Sequence, residues 1–317
     1  MASAGKLAVI AVGGNALIQD DKHQTIPDQS LAVDASASHI ADVVASGWRV
    51  VVTHGSGPQI GFILRRSELA LAEVPPVPMD YACADLQGAI GYMFQRALRN
   101  EFRSRGMDAR AIAIVTQILV DPSDPAFEKP GKPVGSYMDE ATAQTRAAEL
   151  GWVVDEDAGR GWRRVVASPQ PRSIVDIDPV RDLLAANYTV IACGGGGIPV
   201  VENDDGKIMG REAVIDKDYA SGLLAMELGA DVFVISTGVE QVAINFNTPD
   251  EKWLSRLSVS EARAYDQDGQ FAEGSMAPKV RAIIDFVERS NAQGLITDTA
   301  NMGRALAGNG GTMIVPG

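Results

Sequence analysis

Lysine is scarce in this chain, and three lysines lie where a bound anion would explain their position. The 317 residues include only eight lysines. Lys279 follows Pro278 at the start of a predicted helix, where the helix dipole disfavours a cation unless an anion is bound there. Lys217 lies beside Asp218, which could cap the next helix and hold lysines in position; an ordinary surface ion pair is the alternative. Lys132 lies among prolines and glycines, either as an exposed residue or as the lysine of a mobile lid.

Glycine-rich turns follow four short apolar runs, and backbone N–H groups in such turns are a second feature suited to anions. A glycine after a strand often serves only to reverse the chain, so each single turn also has a purely structural explanation. The four consecutive glycines at 194–197 are costly in conformational entropy, and access of the backbone to a ligand would explain them. The four turns are Gly13-Gly14-Asn15, Gly55-Ser56-Gly57, residues 194–197 and Gly238.

The common nucleotide and hydrolase motifs are absent from the sequence. Gly206-Lys207 is followed by Ile208, and Ile60 stands where a G-x-G-x-x-G motif needs glycine. Neither H-E-x-x-H nor G-x-S-x-G occurs. His54 could polarise a ligand, or its ring could be satisfied by the local backbone. Lysines and glycine turns without a fixed acid–base pair favour phosphoryl transfer, which is catalysed chiefly by alignment and charge neutralisation.

Strands and helices alternate along the chain, and this pattern predicts a mostly parallel sheet covered by helices on both faces. Ligands of such sheets bind beyond the carboxyl ends of the strands, which is where the glycine turns lie. Helices are predicted at 34–46, at 86–103 and from Pro278 onward. Residues 121–171 break the alternation, and we interpret them as a lobe within a single domain.

Composition excludes several other kinds of protein. The net charge of −13 argues against nucleic acid or an acidic membrane as the main partner. The two cysteines, Cys83 and Cys193, have no paired spacing and are expected to be reduced. The amino terminus lacks the pattern of a secretion signal, and no apolar run is suited to lipid. We therefore expect a cytoplasmic protein.

Nine segments, in order along nearly the whole chain, resemble motifs of the carbamate kinases, a family within the amino-acid kinase superfamily. An ordered series of this length is far more specific than any single motif. The segments are AVGGNAL (11–17), VVTHGSGPQIG (51–61), QGAIGYM (87–93), VDPSDPAFEKPGKPVG (120–135), EDAGRGWRRVVASPQP (156–171), GGGGIPV (194–200), EAVIDKD (212–218), STGVEQVAINF (236–246) and GSMAPKV (274–280).

The resemblance implies an α/β fold with an open, mostly parallel, eight-stranded sheet in a three-layer α/β/α sandwich. It implies a single domain over residues 1–317, with a protruding subdomain near 120–170, and a homodimer. The implied reaction is reversible phosphoryl transfer between ATP and carbamate, giving ADP and carbamoyl phosphate, often in the ATP-forming direction. Mg²⁺ would then bridge the nucleotide phosphates, without a metal site built by the chain itself.

The resemblance also implies roles for particular residues. Lys132, Lys217 and Lys279 would neutralise the transferring phosphoryl group. Asp218 would orient lysines. The residues implied on the carbamoyl phosphate side are Gly13, Gly14, Asn15, Gly55, Ser56 and Gly57. The residues implied near the nucleotide are Gly195, Gly196, Thr237, Gly238, Val239, Tyr265, Met276 and Pro278.

Three positions depart from related sequences. Acetylglutamate-type kinases resemble this chain but carry a phosphate-binding lysine where it has Ala11, so Lys132 on the lobe is the natural replacement. Such a lysine would enter only on closure, which keeps water from a labile acyl phosphate. Ser56 replaces the family's usual Asn, and Asp85 replaces a less charged residue. The alternatives are therefore a kinase of another small carboxylate and a noncatalytic sensor of nucleotide or carbamoyl phosphate.

Overall fold

An eight-stranded sheet forms the centre of the molecule. The computed structural model describes residues 5–14, 17–18, 20, 22–156 and 161–317. All neighbouring strands of this sheet are parallel except β16 and β17. Its strands, in spatial order, are β15 (Arg256–Ser258), β17 (Thr312–Val315), β16 (Gln293–Asp298), β12 (Val232–Thr237), β1 (Leu7–Val12), β2 (Arg49–His54), β9 (Tyr188–Ile191) and β3 (Arg110–Ala113).

The central strands are apolar on both faces because helices cover both sides of the sheet. Every residue of β1 is buried, and its side chains alternate between two apolar clusters. One cluster packs against α1 (Ile26–Ala45), α3 (Met79–Ser104) and α9 (Met302–Leu306). The other packs against α5 (Ile177–Ala185), α6 (Lys217–Leu228), α7 (Val259–Gln267) and α8 (Met276–Ser290). The predicted three-layer α/β/α sandwich is therefore confirmed.

Smaller sheets lie beside the central one. A four-stranded sheet has the order β11-β10-β4-β8, and a three-stranded sheet, β5-β7-β6, lies within the predicted lobe. The remaining strands are β4 (Gln117–Val120), β5 (Lys132–Met138), β6 (Val153–Glu156), β7 (Trp162–Val166), β8 (Pro171–Ile174), β10 (Ile198–Glu202), β11 (Ile208–Gly210), β13 (Val242–Ile244) and β14 (Lys252–Leu254). The remaining helices are α2 (Gly57–Leu69) and α4 (Glu140–Leu150).

Three predicted helix boundaries were wrong. The helix predicted at 34–46 begins at Ile26, because the Thr25 side chain accepts a hydrogen bond from the Asp28 backbone and caps it. The helix predicted at 86–103 begins at Met79 and ends at Ser104. Pro278 is the third residue of α8 rather than the first. Proline is tolerated there because N–H groups of the first turn have no partner within the helix.

Two global features complete the description of the fold. Cys83 and Cys193 are both free and buried, as small apolar residues would be. Among the described residues, no helix is both long enough and apolar enough to cross a membrane.

Candidate active site

The three lysines singled out in the sequence come together at two carboxylates. Lys217, the first residue of α6, places Nζ 2.6 Å from Asp218 Oδ1. Lys279, in the first turn of α8, places Nζ 3.1 Å from Asp218 Oδ2. Lys132, the first residue of β5, places Nζ 3.0 Å from Asp216 Oδ2. The lobe lysine is therefore held at the site rather than extended into solvent.

The structure shows that Asp216 and Asp218 make different contacts. Asp216, not Asp218, caps α6, since Asp216 Oδ1 accepts a hydrogen bond from the Asp218 backbone N–H at 2.9 Å. The Asp218 side chain is 5% exposed and accepts bonds from both ammonium groups. Burial alone would raise the pKa of Asp218, but the charges of Lys217 and Lys279 outweigh it and hold the pKa below its usual value. Asp218 is therefore a permanent anion between two cations.

A chain of hydroxyl groups ties the start of α6 to the sheet. Ser221 Oγ donates to the Lys217 carbonyl oxygen at 2.6 Å. Thr53 Oγ1, on β2, lies 2.6 Å from Ser221 Oγ. Because both hydroxyl groups are buried, this link fixes the backbone from which Lys217 projects.

The glycine turns after β1, β2 and β9 meet at one edge of the sheet. A Cβ atom on Gly55 would lie 3.1 Å from the Gly14 backbone nitrogen, and one on Gly195 would lie 2.4 Å from Ser56 Oγ. Gly13 donates to the Ser236 carbonyl oxygen at the end of β12. Glycine is thus required where these backbones approach each other.

Residues 194–197 adopt a backbone that few side chains could follow. The φ angles of Gly195, Gly196 and Gly197 are +67°, +97° and +79°. A Cβ atom on Gly196 would lie 2.2 Å from the carbonyl oxygen of Ile215, directly before Asp216. The glycine run therefore brings the turn after β9 against the segment that leads into α6.

A buried amide supports this glycine turn, and sequence reasoning missed it. Gln87 Nε2 donates to the Thr116 carbonyl oxygen, and Gln87 Oε1 accepts from the Thr116 backbone and hydroxyl. The Thr116 hydroxyl in turn accepts from the Cys193 N–H at 2.6 Å. The only sequence signal was the polar Gln87 on the apolar face of a predicted helix.

The other predicted substrate-side residues differ in how enclosed they are. Gly14 and Gly57 have open space where a side chain would lie. Ser56 is buried and directly precedes α2. Asn15 lies outside the described residues. Asp85, the other departure near this motif, is exposed on α3.

His54 is a neutral structural residue at this edge rather than an acid or base. Its Nδ1 lies 3.1 Å from the Gly55 carbonyl oxygen, so the neutral ring donates from that nitrogen. The ring stacks on Phe94, and its Nε2 lies against Gly194. Burial lowers the pKa of His54 to about 4. Of the two interpretations left open by the sequence, the geometry favours the one in which the local backbone satisfies the ring.

A cavity of about 560 Å³ opens beside the end of β12. This volume suits a nucleotide-sized ligand. Four predicted nucleotide residues line it: Thr237, Gly238, Val239 and Met276. The others lie elsewhere: Tyr265 packs on the apolar core, Pro278 is inside α8, and Gly195 and Gly196 lie against Ser56 and Ile215. The remaining lining residues are Gln241, Ala243, Asn245, Phe246, Thr248, Trp253, Gly269, Gln270, Phe271, Ala272 and Ser275.

Arg281 holds the loop between α7 and α8, residues 268–275, which forms one wall of this cavity and is called the cavity loop below. Its Nε donates to Asp266 Oδ2 on α7 at 2.7 Å. Its Nη1 and Nη2 donate to the two carboxylate oxygens of Glu273 at 2.8 and 2.7 Å. Arg281 lies on α8, two residues after Lys279, so it joins both ends of the cavity loop to the lysine-bearing helix. Sequence reasoning missed this residue because its partners are set by the fold.

Comparison with known proteins places this geometry in a family. The model of the amino acid kinase family matches residues 6–298. A carbamate kinase from Pyrococcus furiosus is 46% identical over 98% of this chain and 100% of its own length. Carbamate kinase 2 from Enterococcus faecalis is 44% identical over 93% of this chain and 95% of its own length. The chain belongs to the amino acid kinase family, within its carbamate kinase group.

A solved structure agrees with this membership across the whole fold. The carbamate kinase from Giardia lamblia bound to AMP-PNP superposes with a TM-score of 0.93 and is 42% identical, with 99% of each chain covered. The UMP kinase from Bacillus anthracis is 16% identical with a TM-score of 0.52 and shares the fold alone. The resemblance to carbamate kinases and the predicted fold class are therefore confirmed, and the chain is a kinase.

The buried His54 predicts a pH dependence of stability. Its pKa is lowered from 6.5 to about 4, so the unfolded chain binds a proton more readily than the folded one, and stability falls as the pH drops from about 6.5 towards 4. Between pH 7 and pH 5 we expect native protein to lose about 2 kcal/mol more unfolding free energy than the His54→Gln variant. Urea denaturation at both pH values measures this. Equal losses of unfolding free energy in the two proteins would contradict the lowered pKa of His54.

Arg281 should affect the nucleotide rather than the phosphoryl acceptor. In Arg281→Met the loop loses its links to Asp266 and Glu273, and we expect the KM for ADP to rise about two- to fivefold, since these pairs are partly exposed. The matched control is Arg289→Met on the same helix, which breaks only an exposed pair with Asp285. Steady-state kinetics at varied ADP concentrations measure the KM of each variant. The same KM in both variants would show that Arg281 does not shape the cavity.

Proposed function

We propose that this chain catalyses reversible phosphoryl transfer between ATP and carbamate, giving ADP and carbamoyl phosphate. The observation that carries the proposal is the meeting of three ammonium groups, from the lobe, α6 and α8, at two carboxylates two residues apart. The relatives named carbamate kinase, which match nearly the whole chain, support carbamate as the acceptor. The ATP-forming direction remains part of this proposal.

The proposed transfer needs positive charge and alignment more than proton transfer. As the phosphoryl group moves in line between two oxygens, charge is spread over its equatorial oxygens. Lys217 and Lys279 would contact these oxygens from fixed helix starts, and Lys132 from the lobe. Asp218 keeps both helix lysines oriented and prevents them from moving towards solvent. The neutral His54 would take no proton in this scheme.

The two substrates would approach from opposite sides of the lysines. Backbone N–H groups of the turns at Gly13 and Gly55 would bind the carbamoyl phosphate side, and Asn15 completes the predicted set. The nucleotide would occupy the cavity beside Thr237 and Gly238, with its phosphates towards Lys279 at the start of α8. The positive end of that helix dipole would add to the attraction.

Mg²⁺ is proposed as the cofactor that enters with the nucleotide. Among the described residues, no group of three or more His, Cys, Asp or Glu side chains could hold a metal ion. Asp216 and Asp218, the acids nearest the lysines, are already engaged by ammonium groups. We propose that this cation would be held mainly by phosphate oxygens, which is how Mg²⁺ commonly binds in kinases. When bound, it would neutralise phosphate charge.

We further propose a homodimer located in the cytoplasm. Tyr81 and Tyr92 on α3 and Val115 after the edge strand β3 are large apolar residues that are more than half exposed. Exposed apolar side chains on α3 and beside the edge strand are suited to contact with a second copy. The proposed location rests on the unpaired spacing of the two cysteines in the sequence.

The dimer proposal predicts a change of mass in solution. The double variant Tyr81→Lys and Tyr92→Lys places two charges in the proposed contact, and we expect it to sediment as a monomer while native protein sediments as a dimer. The control replaces Leu69 and Val74, which are exposed near the end of α2, with lysine. A native monomer, or a double variant that remains dimeric, would overturn the proposed interface.

The reaction is tested by ATP formation from carbamoyl phosphate and MgADP. We expect activity in the native chain and a loss of at least about 100-fold in kcat for Lys217→Ala and for Lys132→Ala, since each removes a cation at the developing charge. Lys207→Ala, which removes an exposed lysine from the turn before β11, is the matched control and should retain native activity.

The outcomes separate the parts of this proposal. Activity that survives Lys132→Ala would preserve the reaction but overturn the role of the lobe lysine. An inactive native chain would overturn carbamate as the acceptor. In that case, assays of ATP with a panel of small carboxylates test the alternative acceptor. Ser56→Asn is then the first variant to test for restored activity.

A further inference from the structure

Two ion pairs join the lobe to one short segment of the core. Lys132 contacts Asp216 at 3.0 Å, and Arg164 Nη2 contacts Glu212 Oε1 at 2.8 Å. The two cations come from the paired strands β5 and β7 of the lobe. The two acids lie four residues apart in the segment that leads into α6. The lobe is thus attached through charges at both ends of this segment.

Each of these acids also holds the start of a core helix. Asp216 Oδ1 accepts from the Asp218 N–H and caps α6. Glu212 Oε2 accepts from the Met79 N–H at the start of α3, at 3.2 Å. A backbone hydrogen bond from Val214 to Ala167 lies between the two ion pairs. The position of the lobe is therefore linked directly to the helix that carries Lys217.

We propose that Asp216 is a positioning residue that holds the Lys132 ammonium group ready for phosphoryl transfer. The proposal rests on the proposed function, in which Lys132 neutralises the moving phosphoryl group. A lysine side chain without a partner populates many rotamers, and fixing one of them has an entropic cost. An ammonium group has three donors, so one can remain on Asp216 while two reach phosphoryl oxygens.

Partial burial suits this role. The side chains of Lys132 and Asp216 are 27% and 35% exposed. The contact is sheltered enough to restrict the lysine, yet open enough for an anion to reach it. Because Asp216 is fixed by its cap on α6, it sets the Lys132 ammonium group at a constant place relative to Lys217.

The first experiment separates the charge of Asp216 from its cap. Asp216→Asn and Asp216→Ser both retain an oxygen that can cap α6, but both remove the negative charge. We expect kcat for ATP formation to fall by about tenfold or more in both variants, as for the loss of a charge-assisted hydrogen bond. The matched control is Asp139→Asn, which alters the cap of α4, where Asp139 accepts from the Thr142 N–H.

The second experiment asks whether Asp216 acts through Lys132. In a double-mutant cycle, Asp216→Asn should lower kcat by less than about twofold when Lys132 is already alanine. If Asp216 had a merely structural role, Asp216→Asn would lower kcat by the same factor in the native chain and in Lys132→Ala. Additive effects, or a native kcat in Asp216→Asn, would overturn the proposal.

A third measurement does not depend on activity. Acetic anhydride labels free amines, and an ammonium group paired with a carboxylate reacts more slowly. We expect Lys132 to be acetylated several-fold faster in Asp216→Asn than in the native chain, with the exposed Lys207 as internal reference. An unchanged rate would overturn the contact. An inactive native chain would instead overturn the proposed function, and with it any role of Asp216 in transfer, whatever the labelling shows.

Discussion

The close approach of three ammonium groups is the constraint on which the rest of this site depends. Like charges gathered at a partly buried site repel one another, and burial removes the water that would screen them. Asp218 offsets the repulsion between Lys217 and Lys279, and Asp216 holds Lys132 nearby. The site nevertheless keeps an excess of positive charge in a chain whose net charge is −13. An anionic ligand therefore meets local attraction on a generally repulsive surface.

The parallel sheet makes this concentration of charge possible. Because β1, β2, β9 and β12 run in the same direction, their carboxyl ends and the starts of the following helices meet at one edge. Glycine permits the turns to touch, as where Gly55 lies on Gly14 and Gly195 lies on Ser56. The glycines of these turns bring no side chains of their own to the edge, so lysines from α6, α8 and the lobe can supply the charge.

The sequence predicted the features that are local and missed those that depend on distant contacts. Apolar runs ending in glycine indicated the buried strands, and scarce lysines at helix starts indicated the charged site. The role of Asp216 was missed because both acids beside Lys217 are acceptable caps, and only the folded backbone decides between them. Arg281 and Gln87 were missed because their partners, Glu273 and Thr116, are brought near by folding. The start of α1 was missed because its cap at Thr25 precedes the apolar pattern.

The position of Ala11 explains why a lobe should carry one of the cations. Ala11 is fully buried on β1 within the apolar cluster that faces α6 and α8. A lysine there would have to place its stem, and then its charge, among the packed side chains of this cluster. In the proposed function Lys132 supplies this charge from the lobe, so full neutralisation would depend on the contact between the lobe and residues 212–216. Transfer would then proceed only when the lobe also covers the site and restricts the access of water to the acyl phosphate.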